Sequence, residues 1–196
     1  MRRIAAIDFK LFEDIGGTLK LNTPVARIEV ENGRTTGVRT KGGGVFPADA
    51  VASNADVVHT YGGLLGHESR GTSEAKRLSR KRFSNSLFVL YFGVNRTYSN
   101  LRHHTVCFGP RYRELIDEIF NAHHLADDFS LYLHAPCVTD PSLAPAGCDA
   151  FYALSVVPNL SSGTDWPAIT EQYREAIATV LQDSVLPDLK QHIVSS

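Results

Sequence analysis

The sequence feature that most constrains the fold is an uninterrupted apolar segment near the middle of the chain, residues 84–94 (SNSLFVLYFGV). Successive side chains of a β-strand point to opposite faces, so this segment presents two apolar faces. The faces are Leu87, Val89 and Tyr91 on one side, and Phe88, Leu90 and Phe92 on the other. Such a strand lies in the interior of a sheet. We therefore expect a central strand with one face on a hydrophobic core. The other face either packs in the same way or lines an apolar cavity.

A second informative segment is residues 49–56 (DAVASNAD), where a β-prone run changes into small residues. This pattern predicts that a strand ends near Ala52 and that a helix begins directly afterwards. Asp56 is placed to cap that helix, because aspartate accepts hydrogen bonds from the free N–H groups of a first turn. Ligands of open α/β sheets bind at the carboxyl ends of strands. The small residues there leave room for a large, flat ligand.

The segments before residue 57 predict one helix and a β-meander. Apolar spacing favours a helix over residues 4–15, which Gly16 and Gly17 end. Strands are expected over residues 18–21, 25–30, 35–40 and 45–52. Asn32-Gly33 and residues 41–44 provide the turns between them.

The segments after residue 57 alternate helices with long strands, which predicts an α+β fold with a mixed sheet. A helix from Asp56 to Leu65 precedes a basic helix that begins at Thr72 or Ser73 and ends at Arg82. The basic helix has two interpretations, a solvated surface or a contact with anionic lipid headgroups. Further strands are expected over residues 103–108, 129–134 and 151–157, and helices over residues 111–120 and 165–183. We place a domain boundary after residue 57.

Composition and motifs exclude several classes of function. Lys and Arg number 20 against 21 Asp and Glu, so no basic surface for nucleic acid is indicated. The histidine pairs 103–104 and 123–124 have no metal-binding spacing, and strand neighbours point to opposite faces, so we predict no metal site. The three cysteines are interpreted as reduced thiols, and no catalytic residue is predicted. The residues alone indicate an α+β domain with an apolar interior and a possible ligand groove.

Two strings of residues resemble glutathione-reductase-like flavoproteins of the amine oxidase and phytoene desaturase type. They are GGTLKLNTPVARIEVENGRTTGVRT and FPADAVASNAD. Later strings, including SNSLFVLYFGVN, HHTVCFGPRYRELIDEIF and LADDFSLYLHAPCVTDPSLAPAGCDAFYALSVVPNL, are similar to bacterial-type phytoene desaturases. The resemblance extends from about residue 11 to residue 194.

The resemblance implies an FAD cofactor and a C40 carotene substrate, dehydrogenated from phytoene toward lycopene in carotenoid biosynthesis. It places Val25 beside the adenine, and Ser53, Asn54 and Ala55 near the body of FAD. It makes residues 1–57 a partial FAD-binding domain and residues 58–196 a C-terminally truncated substrate-binding domain. Phe88, Leu90 and Phe92 are then expected to line a hydrophobic substrate tunnel.

The family's glycine-rich FAD-binding segments have no counterpart in this sequence. We therefore expect an internal fragment that binds FAD weakly and is inactive alone. Two other hypotheses are a non-catalytic fragment that binds an apolar ligand or a membrane surface, and a related FAD-dependent amine oxidase-type enzyme. We expect a cytoplasmic protein that contacts membranes peripherally through Arg77, Arg80 and Lys81. The oligomeric state is left open.

Overall fold

The computed structural model describes residues 9–196, which divide into two compact units. One unit ends at Arg82, and the other extends from Phe83 to Ser196. Residues 9–14 form helix α1, while the first part of the helix predicted over residues 4–15 lies outside the described residues. The first unit continues past the predicted boundary at residue 57, because the helical turn after Asp56 packs on the first strand.

An antiparallel β-meander forms the centre of the first unit, as predicted. Its strands are β1 (Val25–Glu31), β2 (Arg34–Thr40) and β3 (Val45–Pro47), and they pair in sequence order. The β1–β2 hairpin turns at Asn32 and Gly33, whose φ angles of 50° and 76° are both positive. Such a turn matches the twist of the strands it joins, and Asn-Gly is its preferred sequence.

One predicted strand of the first unit does not form, and another is shorter than predicted. Residues 18–21 are coil that leads into a turn, where Asn22 has a φ of 51°. Residues 48–56 are coil and bend, so the predicted strand 45–52 ends at Pro47. Both segments lack a neighbouring strand among the described residues, and without a hydrogen-bonded partner an extended segment has no ladder.

Three helical segments complete the first unit. Asp56 caps α2 (Val57–His59), which continues as a π-helical turn, Thr60–Leu64. Helix α3 spans Ser69–Leu78, so it begins three residues before the predicted Thr72 and ends before Arg82. Its N-cap position is Glu68, whose carbonyl oxygen accepts a hydrogen bond from the Thr72 hydroxyl at 2.9 Å. Gly71 permits the close approach of α3, since a Cβ there would lie 2.0 Å from the Leu65 carbonyl oxygen.

The second unit contains a five-stranded sheet in the order β5-β6-β7-β4-β8. Its strands are β4 (Ser86–Val94), β5 (His104–Cys107), β6 (Leu131–His134), β7 (Asp149–Val157) and β8 (Ile193–Ser195). Each neighbouring pair is antiparallel, so the sheet is not the mixed one expected. The apolar segment forms β4, an interior strand that pairs with β7 over its whole length. The predicted α+β class is confirmed.

The helices of the second unit follow the sequence pattern. Helix α4 (Tyr112–Asp117) continues as a π-helical turn, Glu118–Ala122. Helix α5 (Trp166–Ser184) is capped by Asp165, which accepts a hydrogen bond from the Ala168 N–H at 3.2 Å. Short helix α6 (Leu189–His192) leads into β8. Three 3₁₀ turns, Pro136–Val138, Pro141–Leu143 and Leu160–Ser162, occupy the connecting loops.

The hydrophobic core of the second unit lies between one face of the sheet and α5. The helix contributes Tyr173, Ile177 and Leu181 to this core. Leu90 and Phe92 are 7% and 4% exposed, and the Phe88 ring lies 5.0 Å from that of Tyr173. These three strand residues therefore pack in the core and do not face an open cavity. The expected tunnel lining is corrected, because the amphipathic helix α5 covers that face of β4.

Candidate functional site

A groove in the first unit lies beside the coil that was predicted to contact a cofactor. It has a volume of about 350 Å³. Its lining combines small side chains with hydroxyl groups: Ile28, Thr35, Val51, Ser53, Ala55, Val57, Thr60, Tyr61 and Leu65. A second cavity of about 460 Å³ shares Thr35, Tyr61 and Leu65 with it and reaches Glu68, Arg70 and Glu74. The lining of the first groove is therefore uncharged, whereas three charged side chains line the second cavity.

The cofactor residues expected from the sequence divide into two groups. Ser53 and Ala55 line the groove, and Asn54 lies between them with an exposed side chain. The Ser53 hydroxyl is 3.0 Å from the Thr60 hydroxyl, which ties the coil to the π-helical turn. Val25 lies at the start of β1 opposite Thr40 and is not among the residues that line the groove. The structure thus brings Ser53 and Ala55 together and leaves Val25 apart.

The cap at Asp56 fixes the end of the groove coil. Its carboxylate accepts hydrogen bonds from the N–H groups of Val58 and His59 at 2.9 and 3.1 Å. This cap therefore fixes the position at which coil residues 53–55 lead into α2. Tyr61 is the single titratable residue in the lining of the first cavity. The groove can therefore hold a ligand by shape, hydroxyl contacts and apolar contacts, but its own side chains offer little acid–base chemistry.

The open face of the second unit's sheet is apolar and aromatic. Leu87 and Tyr91 of β4 are 52% and 67% exposed, and Val89 lies between them. The Tyr91 ring is 5.5 Å from that of Tyr152, which is 5.8 Å from that of Tyr132. The alternation that buries Phe88, Leu90 and Phe92 therefore presents their neighbours on the opposite face. We call Leu87, Val89, Tyr91, Tyr132 and Tyr152 the open sheet face.

The three cations predicted to face a membrane are all exposed, but they lie in different local structures. Arg77 is in the last turn of α3 and forms an ion pair with Glu74. This hydrogen-bonded arginine lowers the pKa of the Glu74 carboxyl. Arg80 and Lys81 follow the helix in a turn and bend. None of the helices in the part of the chain from residue 9 onward combines the length and apolarity needed to cross a bilayer.

A cluster of three histidines in the second unit was missed by the sequence analysis. His103, His104 and His134 each place one ring nitrogen within 4.8 Å of the others. The expectation that neighbouring histidines 103 and 104 point to opposite faces is wrong, because β5 begins at His104 and His103 precedes it. His134 joins them because it lies opposite His104 in the pairing of β5 with β6. An antiparallel pairing of HHTVC with LYLH, had it been predicted from the sequence, would have placed His134 beside His104.

Comparison with known proteins gives a consistent assignment. The family model described as flavin containing amine oxidoreductase matches residues 1–147. The chain is 54% identical over 187 residues to the lycopene-forming phytoene desaturase of Pseudescherichia vulneris, and 51% identical over 187 residues to that of Pantoea ananas. Each alignment covers 95% of this chain, which spans 38% of the length of each relative.

A solved structure supports the fold. An oxidoreductase from Methanosarcina mazei superposes with a TM-score of 0.64 at 17% identity. The superposition covers 91% of this chain and 37% of that structure. At this level of identity the similarity concerns the fold alone.

Proposed function

Because the chain belongs to the flavin-containing amine oxidoreductase family, we propose that it forms part of an FAD-dependent desaturase acting on a C40 carotene such as phytoene. The observation that carries the proposal is 54% and 51% identity to two lycopene-forming phytoene desaturases over 95% of the chain. The reaction dehydrogenates C–C single bonds and extends the conjugated polyene toward lycopene. When bound, FAD accepts the hydrogen that leaves the substrate.

The groove of the first unit suits one part of such a cofactor. Ser53 and Ala55 are small enough to leave its wall open, and the hydroxyls of Thr35, Thr60 and Tyr61 offer hydrogen-bond partners. We assign Ser53, Asn54 and Ala55 to this wall, and Val25 to a more distant contact with the adenine. The residues of the chain bind and orient the cofactor, since cofactor enzymes take their chemistry from the bound group.

The open sheet face suits a polyene substrate. A hydrocarbon has no polar handle, so its site consists of apolar and aromatic walls. Leu87, Val89 and Tyr91 provide such a wall, whereas their neighbours Phe88, Leu90 and Phe92 are occupied by core packing. We therefore assign the substrate contact to the open sheet face. Its role is to exclude water and to hold the polyene in an extended conformation.

A membrane surface is part of the same proposal, because a C40 hydrocarbon dissolves in lipid. Arg77, Arg80 and Lys81 are exposed at and after the end of α3. Clustered cations of this kind attract anionic headgroups. We propose that they hold the protein peripherally at the cytoplasmic surface of a membrane.

A chimeric enzyme tests the function directly. This chain would replace the homologous segment of the Pseudescherichia vulneris desaturase. The chimera would be incubated with phytoene in anionic liposomes, and the carotenes formed would be measured by chromatography. We expect conversion of phytoene to more conjugated carotenes, together with flavin absorbance of the purified protein. A chimera that folds and holds flavin but leaves phytoene unchanged contradicts the proposal.

Variants of the chimera separate the two sites. Ala55→Trp should fill the groove and lower the flavin content. Val89→Asp should keep the flavin and reduce phytoene conversion at least tenfold, because it places a charge against an apolar substrate. Val180→Asp is the matched control, since Val180 is a valine of α5 that is 36% exposed, against 37% for Val89. Equal conversion by the Val89→Asp and Val180→Asp chimeras would show that the open sheet face does not contact the substrate.

A further inference from the structure

The three histidines of the second unit form a compact group of nitrogen donors from two parts of the chain. His103 directly precedes β5, His104 begins it, and His134 ends β6. The His103 and His134 Nε2 atoms are 2.8 Å apart. Their ring centroids are 4.6 Å apart, and the His103 and His104 centroids are 4.4 Å apart. The His104 and His134 rings are stacked with centroids 5.4 Å apart, so all three rings lie in contact.

Two hydroxyl groups orient this cluster from outside. The Nδ1 atom of His103 lies 2.5 Å from the Thr139 hydroxyl oxygen. The Nδ1 atom of His104 lies 2.6 Å from the Tyr132 hydroxyl oxygen. With Nδ1 protonated, each ring donates this hydrogen bond and keeps the lone pair on Nε2. Metal-binding histidines are held in the same way, by a partner on the nitrogen that does not bind the ion.

We propose that His103, His104 and His134 bind a divalent transition-metal ion such as Zn²⁺ through their Nε2 atoms. Imidazole nitrogen suits Zn²⁺, Cu²⁺ and Ni²⁺, whereas Mg²⁺ and Ca²⁺ prefer oxygen. Three histidines leave a fourth tetrahedral position open, and the exposed side chain of His104 gives solvent access to it.

For the His103–His134 pair, the geometry needs only a small adjustment, and His104, with a ligand nitrogen within 4.8 Å of the other two, completes the set. Tetrahedral zinc with Zn–N bonds of about 2.0–2.1 Å separates its ligand atoms by about 3.3 Å. The His103 and His134 Nε2 atoms would part by about 0.5 Å from their hydrogen-bonded separation of 2.8 Å. The ion replaces that hydrogen bond, and His134 then carries its proton on Nδ1. The site joins the loop before β5 to the end of β6, two places that the sheet already holds together.

The site adjoins the open sheet face, because the Tyr132 hydroxyl that contacts His104 belongs to that face. Its test nevertheless uses neither flavin nor polyene. The tag-free, metal-free 196-residue chain would be titrated with Co²⁺ and followed by visible absorbance, and Zn²⁺ would then be added in competition. We expect one equivalent of Co²⁺ with the intense bands of tetrahedral nitrogen coordination, displaced by one equivalent of Zn²⁺. Zn²⁺ should also raise the unfolding midpoint reported by Trp166, because an ion that binds only the native state stabilises it.

Matched variants identify the ligands. His104→Gln should weaken binding of Co²⁺ and Zn²⁺ at least tenfold. Because the His104 side chain is exposed, the substitution should not destabilise the fold. Thr139→Val should weaken binding about tenfold by removing the partner of His103. His124→Gln is the control, since His124 is an exposed histidine outside the cluster. Circular dichroism would check that each variant is folded.

Three results would overturn the proposal. The first is that the wild-type chain does not bind one equivalent of Co²⁺ in the titration. The second is equal affinity of the His104→Gln and His124→Gln variants. The third is a Co²⁺ spectrum with a thiolate charge-transfer band, which would place the ion on a cysteine.

Discussion

At the scale of single residues, the most consequential polar contact in the core is the hydrogen bond between Ser155 and Tyr173. The two hydroxyl oxygens are 2.7 Å apart, and Ser155 is fully buried. Tyr173→Phe would leave the serine hydroxyl with only a 3.5 Å contact to the Val156 carbonyl oxygen. We expect a loss of about 1–3 kcal/mol in the free energy of unfolding. Urea denaturation followed by circular dichroism would measure it.

The matched control for this residue pair is a double-mutant cycle with Ser155→Ala. The double variant should lose less stability than the two single variants added together, because removing both hydroxyls leaves no unpaired buried group. Additive losses would contradict the expected coupling.

The same tyrosine gives the second unit a pH dependence. Burial raises the pKa of Tyr173, and the hydrogen bond to Ser155 opposes part of that shift. Since the folded pKa lies above the unfolded value of about 10, the neutral phenol contributes its full stability below that pH. The contribution is lost as the pH rises through the folded pKa. In the denaturation series above, Tyr173→Phe should therefore flatten the fall in stability above about pH 10.

Single residues could be predicted from the sequence where their function is local. Asp56 caps the helix that begins immediately after it, and the sequence identified this cap. The histidine cluster could not be found in this way, because 31 positions separate His103 from His134. Only the register of β5 on β6 brings these two rings together.

At the scale of elements, the strands that formed are those with partners. The Asn32-Gly33 turn joins β1 to β2 locally, so the hairpin was predictable. Residues 50–52 have the composition of a strand, but no neighbouring strand in the described part of the chain pairs with them. The two faces of β4 are both apolar, and only the position of α5 decides that Phe88, Leu90 and Phe92 are covered.

The corrected end of α3 sharpens the membrane prediction. Arg77 is paired with Glu74, whereas Arg80 and Lys81 follow the helix. The double variant Arg80→Glu with Lys81→Glu should weaken binding to anionic liposomes by at least ~2 kcal/mol, because two cations are lost and two repelled anions are added. The partition coefficient should fall by a factor of roughly 30 or more. Sedimentation with liposomes of defined phosphatidylserine content would measure it.

A double variant elsewhere in the first unit provides the control. Arg34→Glu with Lys41→Glu makes the same change in net charge at two exposed positions of the β-meander, the start of β2 and the turn that follows it. If both double variants lost the same affinity, the effect would come from net charge, and the specific contact at the end of α3 would be refuted.

At the scale of the whole molecule, the α+β class and the order of elements followed from hydrophobic periodicity and turn residues. The unit boundary did not, because residues 58–82 pack against the β-meander through contacts that local sequence patterns do not reveal. Leu64 illustrates this: it lies in a short helical turn, and burial against the first unit makes it part of that unit's core.

The division into two units predicts that the chain does not unfold in one step. The buried apolar side chains described in the first unit are Ile28 and Leu64, whereas the second unit has a large cluster around α5. The first unit should therefore unfold at lower urea, because buried apolar area is the main source of stability. Trp166, the single tryptophan, reports on the second unit alone, while circular dichroism reports on both. We expect the circular dichroism transition to begin at lower urea than the fluorescence transition.

Two core variants test the assignment of the two transitions. Ile28→Ala should shift only the early phase of the circular dichroism transition. Leu181→Ala should shift the fluorescence midpoint by the equivalent of about 2–5 kcal/mol. Coincident transitions in the wild type, or a fluorescence shift caused by Ile28→Ala, would mean that the two units unfold as one.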